Sequence, residues 1–194
     1  MAGLSPTTMT TDEQAPILRV TASNLRDHVI FSLALGTGLR LAEIVGLDVG
    51  DVYGPGGAPK ARVRVRPEIA KGGRAADVFV PDRAVAKLRK LWNWKLRRGE
   101  SLEANAPLFA NQSRKRILRR RVQFAWRTWQ RRAGFDRLYS FHSIRHSAIS
   151  NVYRVSRDLF LAQRFARHVS PLTTTIYTHP SDEEMWEKVR GLDC

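Results

Sequence analysis

The sequence predicts a mainly α-helical fold with one small antiparallel β-sheet, an α+β architecture. Several long segments repeat apolar residues at three- and four-residue intervals, the spacing of a helix that packs through one face. Two short valine-containing runs flank a glycine-containing loop, which is the pattern of a β-hairpin. The chain has 194 residues, 43% of them hydrophobic, so it is long enough to form one sizeable core.

The first segment is predicted to be a flexible leader or linker. Residues 1–22 open with a stretch rich in Thr, Ser and Pro, a composition that favours disorder. A helix is expected to begin near Ser23 or Asn24, because either side chain can accept a hydrogen bond from the first helical turn. The folded domain is therefore expected to span residues 23–194.

A short helix and the hairpin are expected next. The helix runs from about Leu41 to Gly46, and the strands are predicted at 62–66 and 77–81. In the first strand valine alternates with arginine, as in a half-exposed strand. Lys71 lies in the Lys-Gly-Gly-Arg sequence between the strands, so it is predicted to lie near the turn.

The C-terminal half is predicted to be mostly helical. Apolar residues recur at helical spacing, and Gly134 suits the position just after the end of a helix. The expected helices span 82–98, 114–132, 142–153, 158–166, 171–178 and 182–190.

The chain is strongly basic. Lys and Arg number 33 against 18 Asp and Glu, a formal net charge of +15, which attracts polyanions. Nucleic acid is the first partner to consider, although the charge alone fits an anionic membrane surface or a ribosome equally well. Residues 114–132 carry nine cations and no acid, so repulsion favours a phosphate counter-charge there. The residues expected to contact the DNA backbone are Arg114, Lys115, Arg116 and Arg119.

Disulfides, a metal centre and a membrane span are not expected. Cys194 is the only cysteine, so neither an intrachain disulfide nor a cysteine metal cluster can form. His142 and His146 have a spacing that can bind zinc, but no third ligand is evident. The longest apolar stretch, Val29 to Leu35, is too short to cross a bilayer. We therefore expect no cofactor, no membrane and a cytoplasmic, nucleoid-associated location.

Six side chains in the sequence suit attack on a phosphodiester. Guanidinium groups stay protonated and neutralise the charge that builds up on phosphate oxygens, a role we assign to Arg40 and Arg145. Tyr177 has the hydroxyl that would attack, and His142 is the candidate base that accepts its proton. The remaining roles fall to Lys71 as the general acid for the leaving oxygen and His168 as a phosphate contact or proton-transfer aid.

The same residues resemble the tyrosine recombinase, or phage integrase, family. Thr37-Gly38-Leu39-Arg40-Leu41-Ala42-Glu43 is similar to the box around that family's first arginine, and Lys71 to its hairpin lysine. His142-Ser143-Ile144-Arg145-His146 is similar to its H-x-x-R-H box. The segment from Asp158 to His179 resembles its closing pattern, so the resemblance covers roughly residues 24–190.

This resemblance implies the fold of a tyrosine recombinase catalytic domain and a definite chemistry. The expected reaction cuts one DNA strand through a 3′-phosphotyrosyl intermediate and then rejoins it, with neither ATP nor metal. Double-stranded DNA is the implied partner. A homo-tetramer on DNA is implied through the helix at about Asp182–Gly191, and a monomer without DNA stays open. Glu43 is expected to support the site by orienting Arg40 or His142.

Two departures from the family pattern leave alternatives open. An N-terminal core-binding domain, usual in this family, is expected to be absent, so the chain is either a fragment or a single-domain form. Arg167 stands where the family usually has glycine, before His168. The alternatives are a catalytically weak or inactive DNA-binding protein derived from a recombinase, and a type IB topoisomerase activity.

Overall fold

The computed structural model describes residues 8–177, 185–186 and 189–191. Helices dominate this part, and its strands form one two-stranded antiparallel sheet, which confirms the predicted fold class. The predicted helix at 182–190 lies mostly outside the described residues. The elements are α1 Thr11–Thr21, α2 Leu25–Thr37, α3 Leu41–Gly46, α4 Val49–Val52, β1 Arg62–Val65, β2 Ala76–Phe79, α5 Asp82–Arg97, α6 Arg119–Arg132, α7 Phe141–Ser156, α8 Leu159–Ala166 and α9 Leu172–Thr175.

The chain divides into two compact units. The large unit contains residues 8–148, and the small unit contains the described residues from Ile149 onward. The core of the large unit surrounds α2, whose Phe31 is fully buried and meets the Trp126 ring edge-on at 5.1 Å between centroids. Gly38 ends α2 with φ +62°, a left-handed conformation that glycine adopts without steric cost.

The predicted flexible leader is wrong for the described residues before position 22. Thr10 and Glu13 form a capping box that starts α1, because each side chain accepts from the other residue's backbone N–H. Ile17 on this helix and Met9 just before it are fully buried. The Thr- and Pro-rich composition led to a prediction of disorder, whereas the segment forms an amphipathic helix that packs into the core of the large unit.

The hairpin prediction is confirmed. β1 pairs with β2 in an antiparallel register that sets Arg62 opposite Phe79. Val63 and Val65 face the core, while Arg62 and Arg64 are exposed, which is the expected period-two pattern. Lys71 is exposed in the loop that joins the strands.

The predicted basic helix begins five residues too early. α6 starts at Arg119, whereas residues 114–118 form an extended turn with an isolated bridge between Ala110 and Arg116. The Asn111 side chain accepts from the Lys115 N–H at 3.0 Å, and the Asn111 N–H donates to the Lys115 carbonyl at 2.8 Å. Arg114 has φ +58°. This local asparagine bonding outcompetes the helical pattern.

The part of the small unit that the structure describes has a much smaller core than the large unit. Among those residues the buried cluster consists of Ile149, Ala162 and Ala166, with the partly buried Tyr177 packed against it. Asp158 caps α8 by accepting from the backbone N–H groups of Phe160 and Leu161. The predicted helices in this region are confirmed, although α9 is shorter than expected.

Candidate active site

A pocket of about 260 Å³ in the large unit collects three of the predicted catalytic residues. Arg40, His142 and Arg145 all contribute to its wall. These residues come from the α2–α3 junction and from the first turns of α7, and α6 adds Arg119 and Gln123. The pocket is therefore lined by three arginines that lie far apart in the sequence.

Arg40 is held by Glu43. Its Nη1 donates to Glu43 Oε1 at 3.1 Å, and its backbone N–H donates to Glu43 Oε2 at 2.8 Å. The Glu43 side chain is 1% exposed, so one buried carboxylate both caps α3 and orients the Arg40 guanidinium. This salt bridge to Arg40 is one of the two contacts expected of Glu43.

Arg145 is buried, with 3% of its surface exposed. Its Nη1 donates to the carbonyl of Gly38, the residue that ends α2. A buried guanidinium that is fixed by a backbone carbonyl has lost its rotational freedom before any ligand arrives. Because Gly38 lies two residues before Arg40, this bond also ties the two arginine segments together.

His142 stands in a field of positive charge. Loss of solvation lowers its pKa from the usual 6.5, and the charges of Arg145, Arg40 and Lys71 lower it further. Its ring meets the His146 ring edge-on at 4.5 Å between centroids, and burial lowers the pKa of His146 to about 4. Both shifts favour the neutral imidazole, the form in which a histidine can accept a proton.

Lys71 is exposed on the hairpin loop. Its charge contributes to the lowered pKa of His142, so the two side chains lie near enough to interact electrostatically. The structure thus brings Arg40, His142 and Arg145 to one pocket, and Lys71 acts on His142 from the hairpin loop.

The small unit holds the other two predicted residues, His168 and Tyr177. Their rings are stacked with 6.4 Å between centroids. His168 Nδ1 is 3.0 Å from the Thr174 hydroxyl, and the His168 carbonyl accepts from Gln163 Nε2 at 3.2 Å. One hydrogen bond to the His168 ring and one to its backbone carbonyl hold this residue beside the Tyr177 ring.

The expected DNA-contacting residues divide into two kinds. Arg114, Lys115 and Arg119 are exposed, so their DNA contacts stay predictions. Arg116 does not match the expected surface position. It is half-buried, and its Nη1 donates to the Val45 and Leu47 carbonyls, both at 2.9 Å, while Nη2 is paired with Asp48. Its guanidinium bonds the carbonyl end of α3 while 39% of its side chain stays exposed, so its DNA contact also stays a prediction.

Two further polar residues of the pocket wall were not predicted. Gln123 lies four residues after Arg119 on α6, so helical spacing from a predicted DNA-contacting arginine could have indicated it. Ser140 precedes α7, and no sequence pattern marks it. Within the described ranges, no group of three or more His, Cys, Asp or Glu could hold a metal ion. No helix of the described residues is long and apolar enough to cross a membrane.

Comparison with known proteins identifies the family. The model described as "Phage integrase family" matches residues 7–184. The chain belongs to the phage integrase family. The tyrosine recombinase XerC of Vibrio cholerae serotype O1 is 33% identical over 178 residues, which cover 90% of this chain and 54% of the relative. XerC of Neisseria meningitidis serogroup B is 34% identical over 154 residues, 79% of this chain and 48% of the relative.

Solved structures share the phage integrase fold of this chain. A crystal structure of XerA recombinase superposes with a TM-score of 0.79 at 23% identity, covering 100% of this chain and 66% of that one. XerH recombinase in a post-cleavage complex with its difH substrate superposes with a TM-score of 0.77 at 22% identity. The superposition covers 96% of this chain and 53% of the XerH chain. The chain spans about half the length of the curated relatives that it matches.

Arg167 has the backbone conformation for which glycine is the favoured residue. Its φ is +55°, in the left-handed region, at the end of α8. The expected strain at this departure from the phage integrase pattern is therefore present in the backbone. His168 follows directly, so the orientation of its ring depends on this turn.

Proposed function

We propose that this chain is the catalytic part of a site-specific DNA recombinase that cuts and rejoins DNA through a 3′-phosphotyrosyl intermediate. The observation that carries the proposal is the pocket that Arg40 and the buried Arg145 line together with His142, whose pKa is lowered by burial and by the two arginines. Family membership supports the choice of DNA as substrate.

The two arginines would neutralise the scissile phosphate. Arg40 is oriented by Glu43 and Arg145 by the Gly38 carbonyl, so neither has to reorganise as charge develops on the non-bridging oxygens. Guanidinium groups supply this positive charge without a metal, because they remain protonated at physiological pH. His168 would add a hydrogen bond to the same phosphate.

The proposed reaction exchanges one phosphate ester bond for another, so it needs no external energy source. The Tyr177 oxygen forms a bond to phosphorus, and its proton passes to His142. The bond between phosphorus and the 5′ oxygen breaks, and Lys71 donates a proton to that oxygen. Attack by a free 5′-hydroxyl on the phosphotyrosyl bond reverses these steps and releases Tyr177. The covalent link conserves the bond energy, so ATP is not needed.

Duplex DNA and further copies of the chain are the proposed partners. XerH has been crystallised on its difH substrate, and a lambda integrase dimer on a COC′ core site. By analogy, Arg114, Lys115 and Arg119 would bind the DNA backbone of this chain's target. A tetramer on DNA would use the segment after Tyr177, most of which lies outside the described residues.

Covalent capture of DNA tests the proposal. Wild-type protein is incubated with a pool of nicked duplexes of randomised sequence. Cleavage near the nick releases a short oligonucleotide that carries the 5′-hydroxyl. Because this oligonucleotide diffuses away, religation is prevented and the covalent adduct accumulates. We expect a denaturation-resistant protein–DNA adduct that Tyr177→Phe abolishes. Tyr153→Phe is the matched control, because Tyr153 is also partly buried against the small-unit core, and it should leave the adduct unchanged.

A catalytically weak or inactive DNA-binding protein is the second candidate. The left-handed Arg167, where the family usually has glycine, supports it, because strain before His168 could misplace that ring. This candidate predicts salt-dependent DNA binding that survives Tyr177→Phe and no adduct with either form. If Arg167→Gly then creates an adduct, the strain is the cause of the weakness.

A further inference from the structure

The loop that carries Lys71 is anchored by an arginine that had no role in the sequence analysis. Arg66 directly follows β1, and its Nε donates to Asp51 at 2.9 Å. Its Nη2 lies 2.5 Å from Asp48 Oδ2 and donates to the Gly46 carbonyl at 3.2 Å. One guanidinium therefore binds two carboxylates and the carbonyl end of α3.

The backbone after Arg66 folds into a compact turn. The Arg66 carbonyl accepts from the N–H of Ile69 at 3.2 Å and from the N–H of Ala70 at 3.0 Å. Ala70 is the residue before Lys71. The position from which the Lys71 side chain starts is thus fixed by hydrogen bonds to the residue whose guanidinium is anchored.

An apolar contact holds the same turn against α3. A Cβ added at Gly46 would lie 2.6 Å from Ile69 Cγ2, a distance that real Cβ atoms do not show. Only glycine at the end of α3 lets Ile69 pack this closely. The turn is therefore docked on α3 by two independent contacts, one ionic through Arg66 and one steric through Ile69.

The docking point belongs to the segment that also carries the first pocket arginine. α3 begins directly after Arg40 and ends at Gly46, and Asp48 and Asp51 follow it. Asp48 also pairs with Arg116, which holds the residues that lead into α6. The side chains of Asp48 and Asp51 are 14% and 10% exposed, so solvent screens these ion pairs less than it screens pairs on the open surface.

We infer that Arg66 is a positioning residue, which docks the Lys71 turn on α3 and so sets the reach of the lysine toward the leaving oxygen. The inference rests on the proposed function. Lys71 is exposed on a flexible four-carbon side chain, so it depends on the turn for its placement. Loosening Arg66 should slow proton donation while leaving the arginine pocket intact.

A leaving group that needs no general acid separates this role from a merely structural one. DNA with sulfur in place of the bridging 5′ oxygen releases a thiolate, whose conjugate acid has a pKa of about 8.5, far below that of an alcohol. Cleavage of this substrate does not need Lys71. A duplex recovered from the randomised pool is prepared with oxygen or with sulfur at the scissile position, and single-turnover adduct formation is measured.

We expect Lys71→Ala to slow cleavage of the oxygen substrate by about 10²- to 10⁴-fold, the usual contribution of a general acid. Arg66→Gln should slow the oxygen substrate by at least about tenfold and leave the sulfur substrate within about threefold of wild type. Arg66→Lys keeps the charge but loses the bidentate geometry, so its rate on the oxygen substrate should fall between the rates of wild type and Arg66→Gln.

Two further variants keep the test decisive. Arg62→Gln removes an exposed arginine of the same hairpin that pairs with Asp77, away from α3, and should leave both substrates unaffected. Ile69→Ala weakens the apolar half of the docking without changing charge, and it should repeat the Arg66→Gln pattern even if Arg66→Gln folds poorly.

The outcomes distinguish the inference from the function on which it rests. Equal slowing of both substrates by Arg66→Gln and Ile69→Ala, or no slowing by either, overturns the positioning role while wild-type cleavage upholds the function. Absence of any wild-type adduct with both substrates overturns the proposed function, and the inference with it.

Discussion

The large and small units hold their site residues in different ways. In the large unit, Arg145 is buried against a carbonyl and Arg40 is fixed by a buried glutamate, above an extensive core. Within the described residues of the small unit, Tyr177 packs against a cluster of three fully buried residues, and His168 is stacked on Tyr177. Exposed apolar side chains are frequent there, including Phe160 at 72% and Val169 at 82% exposure.

Under the proposed function, this difference assigns charge stabilisation to the large unit and nucleophilic attack to the small unit. Charge stabilisation requires groups that are already in place, so the arginines belong where packing prevents reorganisation. A nucleophile that must become covalently attached and later be released can stand on an element with less burial, because such elements open at lower free energy. Each prediction below compares the two units or tests one of them.

The largest expected effect comes from the same substitution made in each unit. Phe31→Ala removes a fully buried ring from the large core and should lower the free energy of unfolding by about 3–5 kcal/mol. Phe160→Ala removes an exposed ring from the small unit and should change the free energy of unfolding by less than about 0.5 kcal/mol. Guanidinium chloride titrations measure both. Equal losses would contradict the contrast in burial.

The next effect is on catalysis. Arg145→Ala removes a preorganised charge and should slow adduct formation by at least about 10²- to 10³-fold, typical for loss of one transition-state donor. Arg154→Ala, on the same helix but exposed, serves as the control and should keep the wild-type rate. Single-turnover cleavage measures the difference. A loss of less than about tenfold would remove Arg145 from the proposed clamp.

Acid should destabilise the large unit. Burial lowers the pKa of His28 and of His146 from 6.5 to about 4, so the folded state resists their protonation. The unfolded chain binds these protons first, and the free energy of unfolding should fall as the pH drops from about 6.5 to about 4. Each slope should stay below about 1.4 kcal/mol per pH unit, because partial exposure screens the charge.

Unfolding curves collected across this pH range test the acid effect. His28→Gln removes one of the two groups and should flatten the dependence. An unchanged slope in that variant would contradict the assignment of the effect to His28.

The smallest effect concerns the small unit alone. Arg167→Gly relieves a left-handed arginine at the end of α8 and should stabilise the small unit by about 1 kcal/mol. Amides of α8 should then exchange hydrogen about fivefold more slowly. Arg164→Gly, inside the same helix, should destabilise the small unit by a similar amount, so the α8 amides should exchange faster. Faster exchange in Arg167→Gly would show that the arginine makes a stabilising contact.

The sequence could predict the features that depend on local pattern. The hairpin, α2 and α7 followed from local pattern, and the cap of α2 was narrowed to Ser23 or Asn24, of which the structure shows Asn24. Arg40, His142 and Arg145 were recognisable because their motifs are short and ordered, and the structure brings them to one pocket.

Features that depend on tertiary contacts could not be predicted. The polar leader composition concealed α1, because the burial of Met9 and Ile17 requires a core that only the folded chain provides. In the sequence Arg116 is indistinguishable from the neighbouring cations, because its hydrogen bonds to the carbonyls at the end of α3 form only in the folded chain. The Arg66–Asp48 contact joins residues 18 apart, and no pattern in the sequence indicates it.

The most direct measurement is the identity of the amino acid that becomes joined to DNA. The adduct formed on the nicked duplex pool is digested with protease and nuclease, and the modified peptide is sequenced by tandem mass spectrometry. We predict a nucleotide linked through its 3′ phosphate to Tyr177. A link to Tyr153, to a serine or to any other residue, or a link through a 5′ phosphate, would contradict the assignment of the nucleophile and the direction of cleavage.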